Sequence, residues 1–388
     1  MHYDFLSPTR IVFGWGRRAE LGKLARGLGT RVLLVSGSRT LERNGVIDEL
    51  ALYCTRHGVE VLRFPVASRE PEVTDVDLLV ADMLRINPTE SDVVVAVGGG
   101  STIDLAKAAA AMARNRHGSS VADFLEGVGR GLQITERPLN VIAVPTTSGT
   151  GTEVTKNAVI SSYNPVFKKS LRSDSMIPTM VLADPELTVS LPRETSASTG
   201  MDAITQLIES YVSRRAAPIP QALALSGLML AVPALPIVFH DPASRPGREA
   251  MSHAALLSGL ALANSGLGLA HGVAAALGVH CRVPHGLACA VMLPTALRVN
   301  RQVREKELAT LERLFDPGLS PDSVAADSFV CRIDGLCRQI RIPARLRDIG
   351  VVESQIGDLV TGSRGNSMSG NPRDISDAEL FEVLTGIW

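Results

Sequence analysis

The feature that most constrains the fold is an alternation, in the first half of the chain, between short β-branched runs and helix-like segments. The runs are Arg31–Val35, Val59–Phe64, Asp92–Val97, Asn140–Val144 and Met180–Ala183. Strands that are connected through helices lie parallel and are covered by helices on both faces, so they read as continuous apolar runs. The pattern therefore predicts an α/β domain with a parallel sheet.

The character of the sequence changes near Pro185, after which alanine- and leucine-rich periodic stretches replace the β-branched runs. We predict an α/β domain over residues 1–187 and an all-α domain over residues 188–388. The most apolar stretch, Ala222–Phe239, is interrupted by Pro233 and Pro236. A membrane span needs about twenty uninterrupted apolar residues, so we predict a buried helix pair there.

Charge and composition exclude several classes of partner. The formal net charge is -1 and aromatic residues make up 4% of the chain, so neither a basic nor a base-stacking surface for nucleic acid is expected, nor a membrane partner. The five cysteines form no CxxC pair, and the N-terminus lacks the apolar block of a signal peptide. We expect a cytoplasmic protein with reduced thiols.

A glycine triplet follows the third run and precedes a helical segment. Gly98, Gly99 and Gly100 let backbone amides approach an anion, and the dipole of the following helix favours a phosphate there. Ser101 can cap that helix, and Asp104 follows three residues later. The same triplet is also compatible with an ordinary tight turn.

A second loop rich in hydroxyl groups and glycine follows the fourth run. It contains Thr146, Thr147, Ser148, Gly149 and Thr150. Ligands of open α/β sheets bind at the carboxyl ends of the strands, so two such loops predict a site for a phosphorylated, sugar-bearing molecule. A solvated loop is the alternative. The G-x-G-x-x-G fingerprint is absent.

Four residues in the second half are candidate metal ligands. Asp202 and Gln206 lie one helical turn apart, and His271 and His285 follow, each beside a glycine. A carboxylate and two imidazoles suit an open catalytic site, in which a divalent ion polarises a carbonyl oxygen. By spacing alone the signal is weak, because a histidine beside glycine in an apolar helix is more often a core or capping residue.

Together these segments resemble the iron-containing (group III) alcohol dehydrogenase family. The matching strings are Gly98–Lys107, Pro145–Thr155, Ala183–Leu187, Thr199–Ala203, Asn264–Gly272, Pro284–Gly286 and Gly370–Arg373. The resemblance implies a dehydroquinate synthase-like architecture, with a dinucleotide-binding α/β domain and a helical metal and substrate domain. It also implies an NADP- or NAD-dependent enzyme that oxidises a small alcohol or reduces an aldehyde with help from iron or zinc.

The resemblance also implies roles for individual residues. Gly98–Ser101 would hold the pyrophosphate, Thr146–Thr150 would line the cofactor, and Asp104 and Lys168 would lie near it. The metal would be held by residues that are also catalytic, namely Asp202, His271 and His285. A homodimer or larger homo-oligomer is expected.

Three positions depart from the family pattern. Gln206 stands where relatives have a metal-binding histidine, and an amide oxygen is a poorer ligand for iron or zinc than imidazole. Ala275 stands where relatives have a histidine that is assigned to proton transfer. The turn after the first run contains Ser36, Gly37 and Arg39 in place of an acidic residue, which favours NADP over NAD.

The weakened ligand set leaves alternatives open. One is a metal-independent reductase of oxo acids from the same superfamily. The others are a lyase of the dehydroquinate synthase type and a catalytically silent paralogue that still binds nucleotide.

Overall fold

A computed structural model describes residues 2–388, which form two compact units. The α/β unit contains Leu6–Thr147 and Thr152–Ser190. The helical unit contains residues 2–5, Ser148–Gly151 and Leu191–Trp388. The short segment Ser148–Gly151 is therefore a part of the helical unit that is inserted in the sequence of the α/β unit.

The α/β unit is built on a six-stranded parallel sheet whose order is β1-β8-β5-β4-β2-β3. The strands are β1 (Arg10–Phe13), β2 (Arg31–Ser36), β3 (Glu60–Pro65), β4 (Asp92–Gly98), β5 (Asn140–Pro145) and β8 (Met180–Ala183). The flanking helices are α1 (Leu21–Arg26), α2 (Arg39–Arg43), α3 (Val46–Arg56), α4 (Val73–Leu84) and α5 (Gly100–Met112). The predicted parallel sheet is confirmed.

Successive residues of each central strand enter different hydrophobic clusters. Val35 and Val94 pack in the cluster that includes residues of α4 and α5, whereas Val32 and Val93 pack in the cluster that includes residues of α1 and α3. Because neighbouring side chains of a strand point to opposite faces, both faces of the sheet are buried. This is why the strands read as unbroken apolar runs.

An antiparallel hairpin lies outside the main sheet. It consists of β6 (Asn157–Tyr163) and β7 (Val166–Arg172). Ala158, Ile160 and Leu171 are buried in the same cluster as α5. This hairpin is not among the elements predicted from the sequence.

The remaining helices form the helical unit, which confirms the predicted all-α second part. They are α6 (Arg193–Val212), α7 (Pro218–His240), α8 (Arg245–Ala263), α9 (Leu269–Cys281), α10 (His285–Asn300), α11 (Glu305–Glu312), α12 (Asp322–Gln339), α13 (Ile356–Gly362) and α14 (Asp377–Gly386). Two clusters form its core, one around α6, α7 and α12, the other around α9, α10 and α13.

Helix α7 corrects the predicted helix pair, because it is one helix of 23 residues with Pro233 and Pro236 inside it. Pro233 is exposed, as is Met229, the residue whose carbonyl loses its helical donor to this proline. On length and composition this helix could span a membrane, and half of its most apolar window is buried in the unit.

Candidate functional site

Helix α6 carries a stripe of buried polar side chains. Asp202, Gln206 and Glu209 follow one another at spacings of one turn, and their exposed fractions are 1%, 2% and 5%. Buried charged groups need partners, because leaving water is costly without them. The partners lie at the N-terminal ends of α9 and α10.

The start of α9 brings His271 to this stripe. Glu209 accepts a hydrogen bond from the backbone N–H of Ala270 at 2.8 Å, so it satisfies one of the free donors of the first turn. A Cβ at Gly268, the residue before the helix, would lie 2.9 Å from Oε1 of Glu209. The glycine therefore allows the carboxylate to approach the helix end.

The two ring nitrogens of His271 meet two different carboxylates. Nδ1 lies 2.7 Å from Oε2 of Glu209, and Nε2 lies 3.2 Å from Oδ1 of Asp202. A carboxylate that accepts from Nδ1 fixes the orientation of the ring and the position of the proton. Glu209 thus directs Nε2 toward Asp202.

Helix α10 adds His285 and Cys289 to the same cluster. His285 is the first residue of the helix, and its ring centroid lies 5.6 Å from that of His271. Cys289 lies one turn further, and its Sγ is 3.7 Å from Nε2 of His285. One ligand atom from each of Asp202, His271, His285 and Cys289 falls within a group whose members are all within 4.8 Å of one another.

The surroundings of this cluster lower the pKa of the Asp202 carboxyl and raise the pKa values of His271 and Cys289. Burial would raise the pKa of Asp202, but hydrogen bonds from His271 and Gln206 and the charges of the histidines lower it below its usual value. Burial would lower the pKa of His271, but Cys289, Asp202 and Glu209 hold it well above its usual value. Burial raises the pKa of the Cys289 thiol to about 12.

These residues fit a divalent metal. The group combines a carboxylate oxygen, two imidazole nitrogens and a sulfur, which are the donor types that zinc and iron take in proteins. Two carboxylates on either side of His271 concentrate negative charge where a cation would neutralise it. His271 also has the carboxylate partner typical of metal-binding histidines.

Gln206 lies beside this group but presents its nitrogen to it. Nε2 donates to Oδ1 of Asp202 at 3.1 Å and to the carbonyl oxygen of Thr150 at 3.2 Å, while Oε1 accepts from Oγ of Ser258 at 2.8 Å. An amide nitrogen does not bind a cation. That Gln206 is a ligand stays a prediction, and the observed contacts favour a role in orienting Asp202.

In the α/β unit, three predicted cofactor segments meet at one edge of the sheet. Ser36 at the end of β2 is in register with Val97, and Gly98 at the end of β4 is in register with Pro145. The carboxyl ends of these parallel strands therefore bring Ser36, the glycine triplet and Thr146 together. This edge is where open α/β sheets bind their ligands.

The glycine triplet begins α5 without a side-chain cap. Gly99 is the N-cap residue and has no side chain to accept the first amides, so the predicted cap by Ser101 is wrong. The helix begins one residue before Ser101, which places that residue inside the first turn. The amides of the first turn receive no side-chain cap, which is the arrangement that phosphate sites at helix N-termini use.

Close packing explains two of the glycines. A Cβ at Gly37 would lie 2.1 Å from Oγ1 of Thr102, and a Cβ at Gly98 would lie 2.5 Å from the same atom. Thr102 is buried on α5, so strands β2 and β4 approach this helix only where they have no side chain. Arg39, two residues after Gly37, is exposed at the first position of α2.

The second predicted loop is divided between the two units. Thr146 and Thr147 belong to the α/β unit, where a Cβ at Gly99 would lie 3.2 Å from Cγ2 of Thr147. Ser148, Gly149 and Thr150 belong to the helical unit. There Ser148 forms a hydroxyl–hydroxyl hydrogen bond of 2.9 Å with Ser252 of α8.

Asp104 and Lys168 have partners within the α/β unit. Oδ2 of Asp104 accepts from the backbone N–H of Val159 at 3.0 Å, and its other oxygen lies 3.5 Å from Nζ of Lys107. Burial raises the pKa of Asp104, although Lys107 opposes the rise. Lys168 forms an ion pair of 2.7 Å with Glu70. Their proposed proximity to the cofactor stays a prediction.

Two residues of this site, Glu209 and Cys289, are not among those predicted from the sequence. Glu209 is seven residues after Asp202, on the same face of one helix, and Cys289 is four residues after His285. Both spacings are visible in the sequence. Cys289 was grouped with the other reduced thiols because it has no CxxC partner.

Known proteins match this chain along almost its whole length. The family described as iron-containing alcohol dehydrogenase matches residues 8–185, and its C-terminal family matches residues 196–388. The NAD-dependent methanol dehydrogenase of Bacillus methanolicus is 30% identical over 385 residues, covering 98% of each chain. The NADPH-dependent butanol dehydrogenase of Clostridium saccharobutylicum is 28% identical, covering 99% of this chain and 97% of its own.

A solved structure shares the whole fold. The crystal structure of a 1,3-propanediol oxidoreductase superposes with a TM-score of 0.93 at 29% sequence identity, with 100% of both chains covered.

Proposed function

The chain belongs to the iron-containing alcohol dehydrogenase family, and from that premise we propose that Asp202, His271 and His285 hold its divalent metal. The enzyme is an NAD(P)-dependent oxidoreductase that acts on small alcohols or aldehydes. When bound, the metal supplies Lewis-acid stabilisation of charge on a substrate oxygen. The residues of the chain hold and orient that metal.

The observation that supports this proposal best is the contact sequence from Glu209 through His271 to Asp202. Glu209 accepts from Nδ1 of His271, so Nε2 is the nitrogen that faces Asp202. Loss of such outer partners typically weakens metal binding by about 10- to 100-fold. Gln206 donates to the same oxygen, Oδ1 of Asp202, and so limits the rotation of that carboxylate.

The experiment is calorimetric titration of chelator-stripped protein with Zn²⁺ and, without oxygen, with Fe²⁺. We expect one ion per chain for the wild type, about 10- to 100-fold weaker binding for Glu209→Gln, and still weaker binding for Asp202→Asn. Asp374→Asn is the matched control, since Asp374 is exposed and pairs with Arg214. NADPH oxidation is then measured with aldehydes, and NAD(P)⁺ reduction with methanol, butanol and 1,3-propanediol.

Two results would contradict the proposal. If the wild type binds neither ion, metal-independent reduction of oxo acids becomes the better hypothesis. If Asp202→Asn combined with His271→Ala leaves turnover unchanged, the cluster has no role in the reaction.

We propose NADP as the preferred nicotinamide cofactor, bound with its pyrophosphate at Gly98–Ser101. Support comes from the uncapped first turn of α5 and from Arg39, a surface cation beside the end of β2. No acidic residue stands between Ser36 and Arg39 to repel a 2′-phosphate. Thr146 and Thr147 are proposed to line the same site.

We further propose a cytoplasmic homodimer or larger homo-oligomer. All five cysteines are free thiols in the structure, which agrees with a reducing compartment. Between Ala222 and Ile237, the exposed residues of α7 are Ala222, Ser226, Met229, Pro233 and Ile237. This face carries no charged side chain and suits contact with a second copy.

A further inference from the structure

The sulfur of Cys289 lies among the metal-binding groups. Residues four apart on a helix share a face, so α10 presents His285 and Cys289 to the same point. Sγ of Cys289 is 3.7 Å from Nε2 of His285, and it belongs to the four-atom group with Asp202 and His271. The thiol is completely buried, so it faces this cluster and not solvent.

A second buried cysteine in the same unit, Cys337, provides a comparison, because it has only a packing role. Cys337 lies on α12 in the apolar core with Leu336 and Ile333, and its nearest polar contact is the carbonyl oxygen of Ala290 at 4.0 Å. Cys289 also packs in a hydrophobic cluster, but its sulfur in addition lies within 4.8 Å of ligand atoms from two imidazoles and a carboxylate. Hydrophobic packing alone does not require those neighbours.

Without the sulfur of Cys289, this group offers a metal ion only three protein donors. Gln206 points its amide nitrogen at Asp202, and its oxygen accepts from Ser258. Asp202, His271 and His285 then supply only three donors. Zinc in proteins is most often four-coordinate and binds thiolate well, whereas harder ions gain less from sulfur.

We propose that Cys289 is a fourth protein ligand of the metal and that it gives the site a preference for Zn²⁺ over Fe²⁺. This inference rests on the proposed metal site. Coordination replaces the S–H bond by a sulfur–metal bond, and the proton leaves to solvent. With Cys289 as a ligand, the substrate oxygen would have to enter as a fifth donor, which catalytic zinc sites sometimes accept.

The test uses Co²⁺ as a spectroscopic probe in the full-length protein. We expect the wild type to show a near-ultraviolet thiolate-to-cobalt charge-transfer band. Cys289→Ser should lose this band and keep the visible bands of bound Co²⁺. Cys337→Ser, the matched control, should keep both.

Competition with a chelating dye then measures metal preference. Loss of an outer partner of a metal ligand costs at least about tenfold in affinity, and loss of a ligand should cost no less. We therefore expect Cys289→Ser to lose at least about tenfold in Zn²⁺ affinity and less in Fe²⁺ affinity. If Cys289→Ser folds poorly, the band in the wild type still decides whether sulfur binds the ion.

The possible failures are distinguishable. Binding of Co²⁺ by the wild type without a charge-transfer band overturns the role of Cys289 and leaves the proposed function intact. Unchanged Zn²⁺ affinity in Cys289→Ser does the same. Absence of any metal binding by the wild type overturns both.

Discussion

Arg39 is the residue on which the choice between the two nicotinamide cofactors depends. It is exposed at the start of α2, directly after the turn that follows β2, and the same turn contains no carboxylate. A guanidinium can bind a phosphate through paired, charge-assisted hydrogen bonds. The 2′-phosphate is the only group that distinguishes NADP from NAD.

We expect Arg39→Ala to weaken NADPH binding by about tenfold and to change NADH binding by less than about twofold, because it removes one charge-assisted contact. Binding is measured by quenching of protein fluorescence or by calorimetry. Arg43→Ala, one turn along the same helix and also exposed, should affect neither cofactor. Equal losses for both cofactors would show that Arg39 does not recognise the 2′-phosphate.

At the residue scale, the sequence predicts ligand types better than it predicts their supports. Asp202, His271 and His285 were recognisable as donors, and the structure brings them together from three helices. The contact between Glu209 and the start of α9 could not be predicted, because it depends on how that helix end meets α6. The orientation of Gln206 depends in the same way on Ser258 of α8.

Within the βα unit formed by β4 and α5 with the end of β2, Gly37 has two candidate roles, cofactor binding and packing. The sequence assigned it to cofactor binding, but the structure gives it a packing role, because Thr102 of α5 fills the space beside it. A methyl group at Gly37 would meet chiefly Oγ1 of Thr102 at 2.1 Å, whereas Cβ of Thr102 lies 3.3 Å away. The two roles can therefore be separated by mutation.

We expect Gly37→Ala to lower the free energy of unfolding by roughly 1–3 kcal/mol through overpacking. The double variant Gly37→Ala with Thr102→Ala should recover most of that loss relative to Thr102→Ala alone, because the clashing hydroxyl is gone. Urea unfolding of the four proteins measures this coupling. Gly357→Ala, where a methyl group meets nothing within 4 Å, is the control. If the losses simply add, packing against Thr102 does not explain Gly37.

At the scale of helices and strands, some elements are easier to predict from the sequence than others. Strand β4 is buried on both faces, so its continuous run of valines and alanine is easily recognised as a strand. In the β6–β7 hairpin only one side packs on α5, and strand β7 carries Lys168 and Lys169 among its apolar residues. That mixture gives no continuous apolar run, which is why the hairpin was missed.

At the scale of the whole molecule, helix α7 has an exposed apolar face that could not be predicted from its composition. Its apolar residues are not all core, since Met229 is 55% exposed and Ile237 is 50% exposed. Its two prolines predict a break, but Pro233 lies on the exposed face and the helix continues through it. This exposed apolar face is the surface through which we propose that a second copy binds.

In a symmetric dimer the same patch meets itself, so a charge placed at its centre is brought close to its own copy. We therefore expect Met229→Glu, alone or with Ile237→Glu, to convert the proposed oligomer to a monomer with little loss of secondary structure. Light scattering after size-exclusion chromatography measures the mass, and circular dichroism checks the fold. Leu78→Glu is the matched control, since Leu78 is 67% exposed on α4 of the other unit and its substitution should leave the mass unchanged. A monomeric wild type would contradict the proposed oligomer, and an unchanged mass for the double variant would place the contact on another surface.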